Sequence, residues 1–207
     1  MKIAVFGGVG SGKSTVLNIL KNRYKAKVYE ADKLVHVLYR KNAPGYKAIK
    51  RICGKSVLDE ERQIDRKKLA ALLFSDSEML AQVNRTIHAM AWAKTRELMD
   101  AYERSHPDAL VIIEAALLPE QTTLEYFDSI WYVYADKNIR IERLRRDRGY
   151  SDEKTAAVMA SQPTEEEYRA AADYVIDNSR DIKLLEADID EVVNDCQRKQ
   201  RQFNIRR

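Results

Sequence analysis

The chain predicts an α/β fold, a five-stranded parallel sheet flanked by helices and carrying a helical insertion. Three observations predict it. Short continuous apolar runs alternate with helically spaced stretches, the pattern of a parallel sheet covered on both faces. The first run stops at a glycine-rich turn that leads straight into a helix. Between the second and third runs lies a helical block too large for one crossover.

Taken in order, KIAVF (2–6) ends at Gly7-Gly8 and reads as a buried strand. STVLNILKNRY (14–24) places Val16, Leu17, Leu20 and Tyr24 at helical spacing, and AKVYE (26–30) reads as a second strand. From 32 to about 105 the pattern is almost entirely helical. Within it Gly54 is a terminator, Asp65 an N-cap, and Ser75-x-x-Glu78 a capping box. ALVIIE (109–114) and SIWYVY (129–134) are strand-length apolar runs. Helices are predicted over 136–148 and 151–161, Thr164-x-x-Glu167 caps another, YVID (174–177) is the last strand, and a final helix covers roughly 181–200.

Composition bounds the function. At 207 residues the chain allows one domain with insertions or a core plus small appendages, and 45% apolar and 33% charged residues are ordinary for a soluble globular protein. A net charge of +4 suits an anionic ligand but is too weak to argue for nucleic acid. The tail RKQRQFNIRR reads as a solvated helix end. MKIAVFGG has too short an apolar run for a signal peptide, and no run reaches membrane-spanning length. Cys53 and Cys196 are far apart and lie in no CxxC or Cys/His cluster, so reduced thiols in a cytoplasmic protein are expected. A monomer or weak homo-oligomer is a separate expectation that the cysteines do not decide.

The chemistry begins at Gly7-Gly8-Val9-Gly10-Ser11-Gly12-Lys13-Ser14, which satisfies GxxxxGK[ST] between a predicted strand and a predicted helix. Glycines let backbone N–H groups converge on phosphate oxygens, and the helix N-terminus adds partial positive charge. The loop therefore predicts the P-loop NTPase fold and binding of a nucleoside triphosphate by Gly8 to Ser14 and Thr15. Lys13 is expected to reach the β- and γ-phosphates and Ser14 to ligate Mg²⁺. Ala135-Asp136-Lys137-Asn138 does not fit the NKxD of a GTPase, and no LSGGQ-like signature of a transporter ATPase is present. A small core, an acidic residue after the second strand, a helical insertion and a late arginine-rich helix form the pattern of small-molecule kinases. In those enzymes the acceptor sits in the insertion and a lid covers the phosphates.

Motif by motif, the chain resembles the dephospho-CoA kinase family. FGGVGSGKSTV is similar to the family's TGGIGSGKSTV, YEADKLVH to its DAD-K-AH segment, IDRKKL (64–69) to its DR..L, and NRTIH (84–88) to its N.i.H run. EAALLPE (114–120) stands where the family has D-x-PLLFE, Arg140 to Gln162 follows its lid, and ADYVIDN (172–178) its ADyvidN. The chain departs from that pattern at Ala89, Ala116, Pro119, Val158 and Tyr168. The resemblance implies one domain over 1–207, with a core (1–32, 109–138 and 172–207), a helical substrate subdomain (33–108) and a helical lid (139–171).

It also implies roles. Asp32 reads from the residues alone as an N-cap. The resemblance makes it the base that takes the proton of the ribose 3′-hydroxyl of dephospho-CoA, and the two readings are compatible. Glu30 belongs either to the Mg²⁺ water shell or merely to a strand end. Glu114, ending the third strand, either holds Mg²⁺ through water or is a charge leaving a buried strand. Arg140, Arg143 and Arg146 recur at spacing three and are expected to share a face. The family pattern picks Arg143 to close on the transferred phosphate, with Arg146 or Arg148 as substitutes. His88 is either a packed histidine or, by the resemblance, a substrate contact, as is Arg66; Asn178 is assigned to the ATP adenine. Two rivals stand beside this reading: a kinase for another nucleotide or nucleoside, and a nucleotide-binding regulator without turnover.

Overall fold

The computed structural model describes residues 1–115 and 121–205. β1 (Lys2–Phe6) is fully buried from Ile3 onward and is the central strand of the sheet. α1 (Lys13–Tyr24) buries Val16, Leu17, Ile19 and Leu20, and ends at Lys25, whose N–H turns back to the Leu20 carbonyl. β2 (Lys27–Glu30) follows. Then come α2 (Ala31–Leu38), α3 (Pro44–Cys53), α4 (Arg66–Ser75) and α5 (Ser77–Ser105) before β3 (Val111–Glu114).

The rest of the chain is α6 (Gln121–Leu124), β4 (Ser129–Tyr134), α7 (Lys137–Arg148), α8 (Asp152–Ala160), α9 (Glu165–Ala171), β5 (Tyr174–Asp177) and α10 (Ile182–Ile205). The strand order is β2-β3-β1-β4-β5, with parallel pairing of β1 to β3 and β4 and of β4 to β5. All five predicted strands are present, as an α/β sheet with both faces covered. β1 carries Ile3 and Val5 into a core with Trp131, Val133, Ile176, Leu17, Leu20, Leu185 and Ile189.

The chain folds as two compact units, Met1–Val28 with Tyr102–Arg207, and Tyr29–Ala101. The second has a core of its own, in which Ile49, Cys53, Val57, Leu69, Val83 and Ile87 close on one another. On α5 the buried residues Val83, Ile87, Ala91, Thr95 and Met99 recur every fourth position, one face of a helix.

One local reading is filled in and one is corrected. The helical block is interrupted by a turn region from Gly54 to Asp65, where Gly54 takes a φ of 78° and Leu58 pairs with Ile64 in an antiparallel bridge. The capping box at Ser75 does not form. Asp76 caps α5, its side chain accepting from the Met79 N–H at 2.9 Å, while the Ser75 hydroxyl turns back to the Leu72 carbonyl at 2.8 Å. A carboxylate is the stronger acceptor, and it stands three residues before that amide. Gly54 ends α3, Asp65 caps α4, and Thr164 with Glu167 forms a complete capping box, all as the sequence predicts.

Candidate active site

Ligands of open parallel sheets bind outside the carboxyl ends of the strands. Here those ends deliver Gly7 from β1, Glu114 from β3, and Asn178 from β5. The loop of 7–12 begins with a turn in which the Ser11 N–H donates to the Gly8 carbonyl at 3.1 Å. It ends at Gly12, the N-cap of α1, in the left-handed region with φ 81° and no capping side chain. The first amides of α1 therefore point out of the helix end without a capping partner, as an anion seat requires. A side chain at Gly12 is excluded twice, by that φ and by the Asn178 amide lying where its Cβ would be. Ser14 is exposed in the first turn, and the Thr15 N–H donates to the Gly12 carbonyl at 2.9 Å.

Lys13 folds over this loop. Its Nζ donates to the Gly7 carbonyl at 2.7 Å and stands 3.6 Å from Glu114, the two side chains being 12% and 19% exposed. Burial pushes the Lys13 amine below its ordinary value, and Glu114 pulls the other way. A partly desolvated ammonium beside one carboxylate gains most from an arriving polyanion. Ser11 points the same way: its Oγ is buried with no hydrogen-bond partner among the described residues, a donor left for a ligand oxygen.

Helix α7 and strand β5 tie the loop down. Arg140 Nε donates to the Val9 carbonyl at 2.9 Å and its Nη2 to the Gln162 side-chain oxygen at 3.2 Å, with the guanidinium lying where a Cβ on Gly8 would be. Arg143 Nη2 donates to the Asn178 carbonyl at 2.9 Å, with longer reaches to Gly10 and Ser11 carbonyls at 3.5 and 3.4 Å. Asn178, 5% exposed, donates its side-chain amide to the Ser11 carbonyl at 2.8 Å. Both Arg143 and Asn178 are thus engaged with loop backbone, a geometry the sequence does not specify.

Arg146 does not share their face. Each step of three residues falls short of a full turn by about 60°, so Arg146 has rotated away. It pairs with Asp147 at 2.7 Å in solvent, 67% exposed. Leu144, 1% exposed, takes the inward position instead. Gln162 is a site residue that sequence reasoning misses; only its place after α8, ahead of Pro163, marks it, and no periodicity does.

The other candidates lie in the Tyr29–Ala101 unit. Asp32 is not an N-cap: α2 starts at Ala31, and the cap position falls on Glu30, which makes no side-chain cap bond. Asp32 is exposed in the first turn. Glu30 is held by Lys33 at 2.8 Å. Arg66 opens α4 and is exposed. His88 is exposed on α5, which removes the packed-histidine reading, since the buried face passes through its neighbour Ile87. Ala116, Pro119 and the last tail residues lie outside the described residues. Val158 is half-buried. Tyr168 is 2% exposed and stacks on Tyr132 with ring centroids 4.9 Å apart. That departure fills a core position.

No cluster of three or more His, Cys, Asp or Glu side chains suited to a metal exists among the described residues. Mg²⁺ asks for less, since it keeps waters and takes phosphate oxygens, so the exposed Ser14 hydroxyl and the Glu114 carboxylate, 3.6 Å from Lys13, are groups of a kind that fit it. No helix among the described residues is long and apolar enough to cross a membrane.

A parallel sheet with a glycine-rich phosphate loop, a loop lysine and two arginines pinned over it defines the P-loop kinase class. A family model described as dephospho-CoA kinase matches residues 1–183. The chain belongs to the dephospho-CoA kinase family. A dephospho-CoA kinase of Aquifex aeolicus is 38% identical over 182 residues, covering 88% of this chain and 90% of that one. A crystal structure from Thermus thermophilus superposes with a TM-score of 0.76 at 30% identity, covering 94% of this chain and 97% of the other. Dephospho-CoA kinase from Campylobacter jejuni shares the fold, with a TM-score of 0.70 over 97% of this chain and 100% of its own at 24% identity.

Proposed function

We propose that the protein transfers the γ-phosphoryl group of ATP to the ribose 3′-hydroxyl of dephospho-CoA, giving coenzyme A and ADP. The observation that carries the nucleotide half is the phosphate loop with Lys13 folded over it and the Ser11 hydroxyl left without a partner. The acceptor half rests on membership of the family.

In this reading the loop amides and the α1 N-terminus hold the triphosphate, and Lys13 exchanges its Gly7 contact for phosphate oxygens. Ser14, with Glu114 through water, would hold Mg²⁺, which supplies charge neutralisation across the β- and γ-phosphates. Asp32 accepts the proton of the 3′-hydroxyl as its oxygen forms the new bond to phosphorus. The bond between phosphorus and the bridging β–γ oxygen breaks, and ADP leaves with that electron pair. Arg66 and His88, both exposed on the helical unit, contact the acceptor. Arg143 and Asn178 act by positioning the loop, and Arg140, its guanidinium lying over Gly8, is a second arginine at the loop available to the transferred phosphate. A cytoplasmic setting and a monomer or weak homo-oligomer complete the reading.

The test is mass spectrometry of the products formed from Mg-ATP and dephospho-CoA by the wild type and by Asp32→Asn. The wild type should make coenzyme A, and the variant should lose about 10²–10⁴-fold in rate while still binding ATP. Equal rates would remove Asp32 as the base. ATP binding without coenzyme A would remove the acceptor assignment.

A further inference from the structure

Val9 is held at both of its backbone groups. Its carbonyl accepts from Arg140 Nε at 2.9 Å, and its N–H donates to the Gln162 side-chain oxygen at 2.9 Å. The same oxygen accepts from Arg140 Nη2 at 3.2 Å. Two donors converging on one atom fix it as the carboxamide oxygen, because the nitrogen end of the amide can only donate to them. One loop amide and one guanidinium are also the donor pair that suits a phosphate oxygen.

We propose that Gln162 is a built-in competitor of the nucleotide. Its oxygen takes the place of a phosphate oxygen on the Val9 amide and Arg140, so that binding of a triphosphate displaces it and the residue sets nucleotide affinity. This rests on the nucleotide reading above. Its physical basis is that a single amide hydrogen aims at one acceptor at a time, so the two occupants are mutually exclusive.

The surroundings hold Gln162 at this task. Its N–H donates to the Met159 carbonyl at 3.3 Å. Pro163 restricts its backbone to extended conformations. Thr164 then starts α9 with a complete capping box, and α9 is anchored through Tyr168 on Tyr132. The side chain is thus presented from a connection fixed at both ends. The choice of residue matters as well. A neutral amide oxygen makes a weaker bond than a phosphate oxygen to the same donors, so glutamine yields to the ligand. A carboxylate there would pair with Arg140 and hold on.

The experiment compares ATP dissociation constants by titration calorimetry for wild type, Gln162→Ala and Gln162→Glu in one buffer. The Val9 amide proton and nitrogen shifts are recorded before ATP is added, and melting temperatures confirm that each variant folds. Gln162→Ala should bind ATP roughly fivefold more tightly, the worth of one net hydrogen bond. Gln162→Glu should bind at least about tenfold more weakly, through a charge-assisted bond. The Val9 amide should move in Gln162→Ala toward the shifts of a solvent-exposed amide. Unchanged or weaker ATP binding by Gln162→Ala overturns the proposal, because a residue that helps bind the ligand gives the opposite sign. A Val9 amide indifferent to the substitution overturns the contact itself. If the wild type binds no ATP while Val9 still responds to Gln162→Ala, the nucleotide reading falls, and the competition falls with it, but the contact stands.

Discussion

The side-chain amide of Asn178 donates to the carbonyl of Ser11 at 2.8 Å, joining the end of the last strand to the loop after the first across 167 residues of chain. A phosphate loop works by turning its N–H groups toward the ligand, which turns carbonyls outward, and those carbonyls need donors. Asn178 and Arg143 supply them. Asn178→Ala should therefore leave the buried Ser11 carbonyl short of a donor, at a cost of about 1–3 kcal/mol in urea unfolding. Its KM for ATP should rise several-fold with a smaller change in kcat. An unchanged KM would mean that the loop holds its shape without this bond.

The arginines of α7 divide sharply. Arg143→Ala should lower kcat/KM for ATP by about tenfold or more, since hydrogen bonds from a charged donor are worth about 1.5–3 kcal/mol. Arg146→Ala should fall within about 0.5 kcal/mol of wild type in stability and leave the rate unaltered, as expected for an exposed pair with its neighbour. Comparable losses in steady-state kinetics for both would contradict the assignment.

Tyr168 makes alkaline stability diagnostic. Burial, with Tyr132 beside it, pushes its phenol up to about 12, against roughly 10 in an unfolded chain. A folded-state value above the unfolded one contributes stability that is intact below pH ~10 and lost as pH rises toward ~12. Tyr24 and Tyr174 are also raised to about 12, so the decline persists in part without Tyr168. Tyr168→Phe should lessen the slope of unfolding free energy over that window by about 1.4 kcal/mol per pH unit. Chemical denaturation at a series of pH values measures it, and identical slopes would show that Tyr168 ionises in the folded protein as freely as in water.

The start of α5 gives a clean contrast. Asp76→Ala should cost about 1 kcal/mol, the loss of one cap, while Ser75→Ala should cost little, its hydroxyl bonding only to its own helix. Thermal unfolding of the two variants decides it, and the reverse order would restore the cap to Ser75.

Much of the molecule is legible because it is written in local terms. Five apolar runs become five strands, GxxxxGK[ST] becomes the turn between β1 and α1, and Gly54, Asp65 and Thr164 end or begin helices. Each depends on a few neighbouring residues, so spacing suffices. The cap at Asp76 escapes such a reading because two adjacent side chains compete for one helix end, and spacing alone does not rank them.

What the sequence by itself determined is therefore the sheet, the phosphate loop with its lysine, and the family motifs on which Asp32, Arg66 and His88 rest. Tertiary structure alone decided which arginine meets the loop, that Asn178 serves the loop backbone, that Tyr168 is a core residue, and that Gln162 reaches Val9 across 153 positions. The reason is physical. Backbone periodicity and turn chemistry are short-range and repeat along the chain, whereas the partner of a guanidinium or carboxamide depends on which distant carbonyl the packing leaves within hydrogen-bond reach.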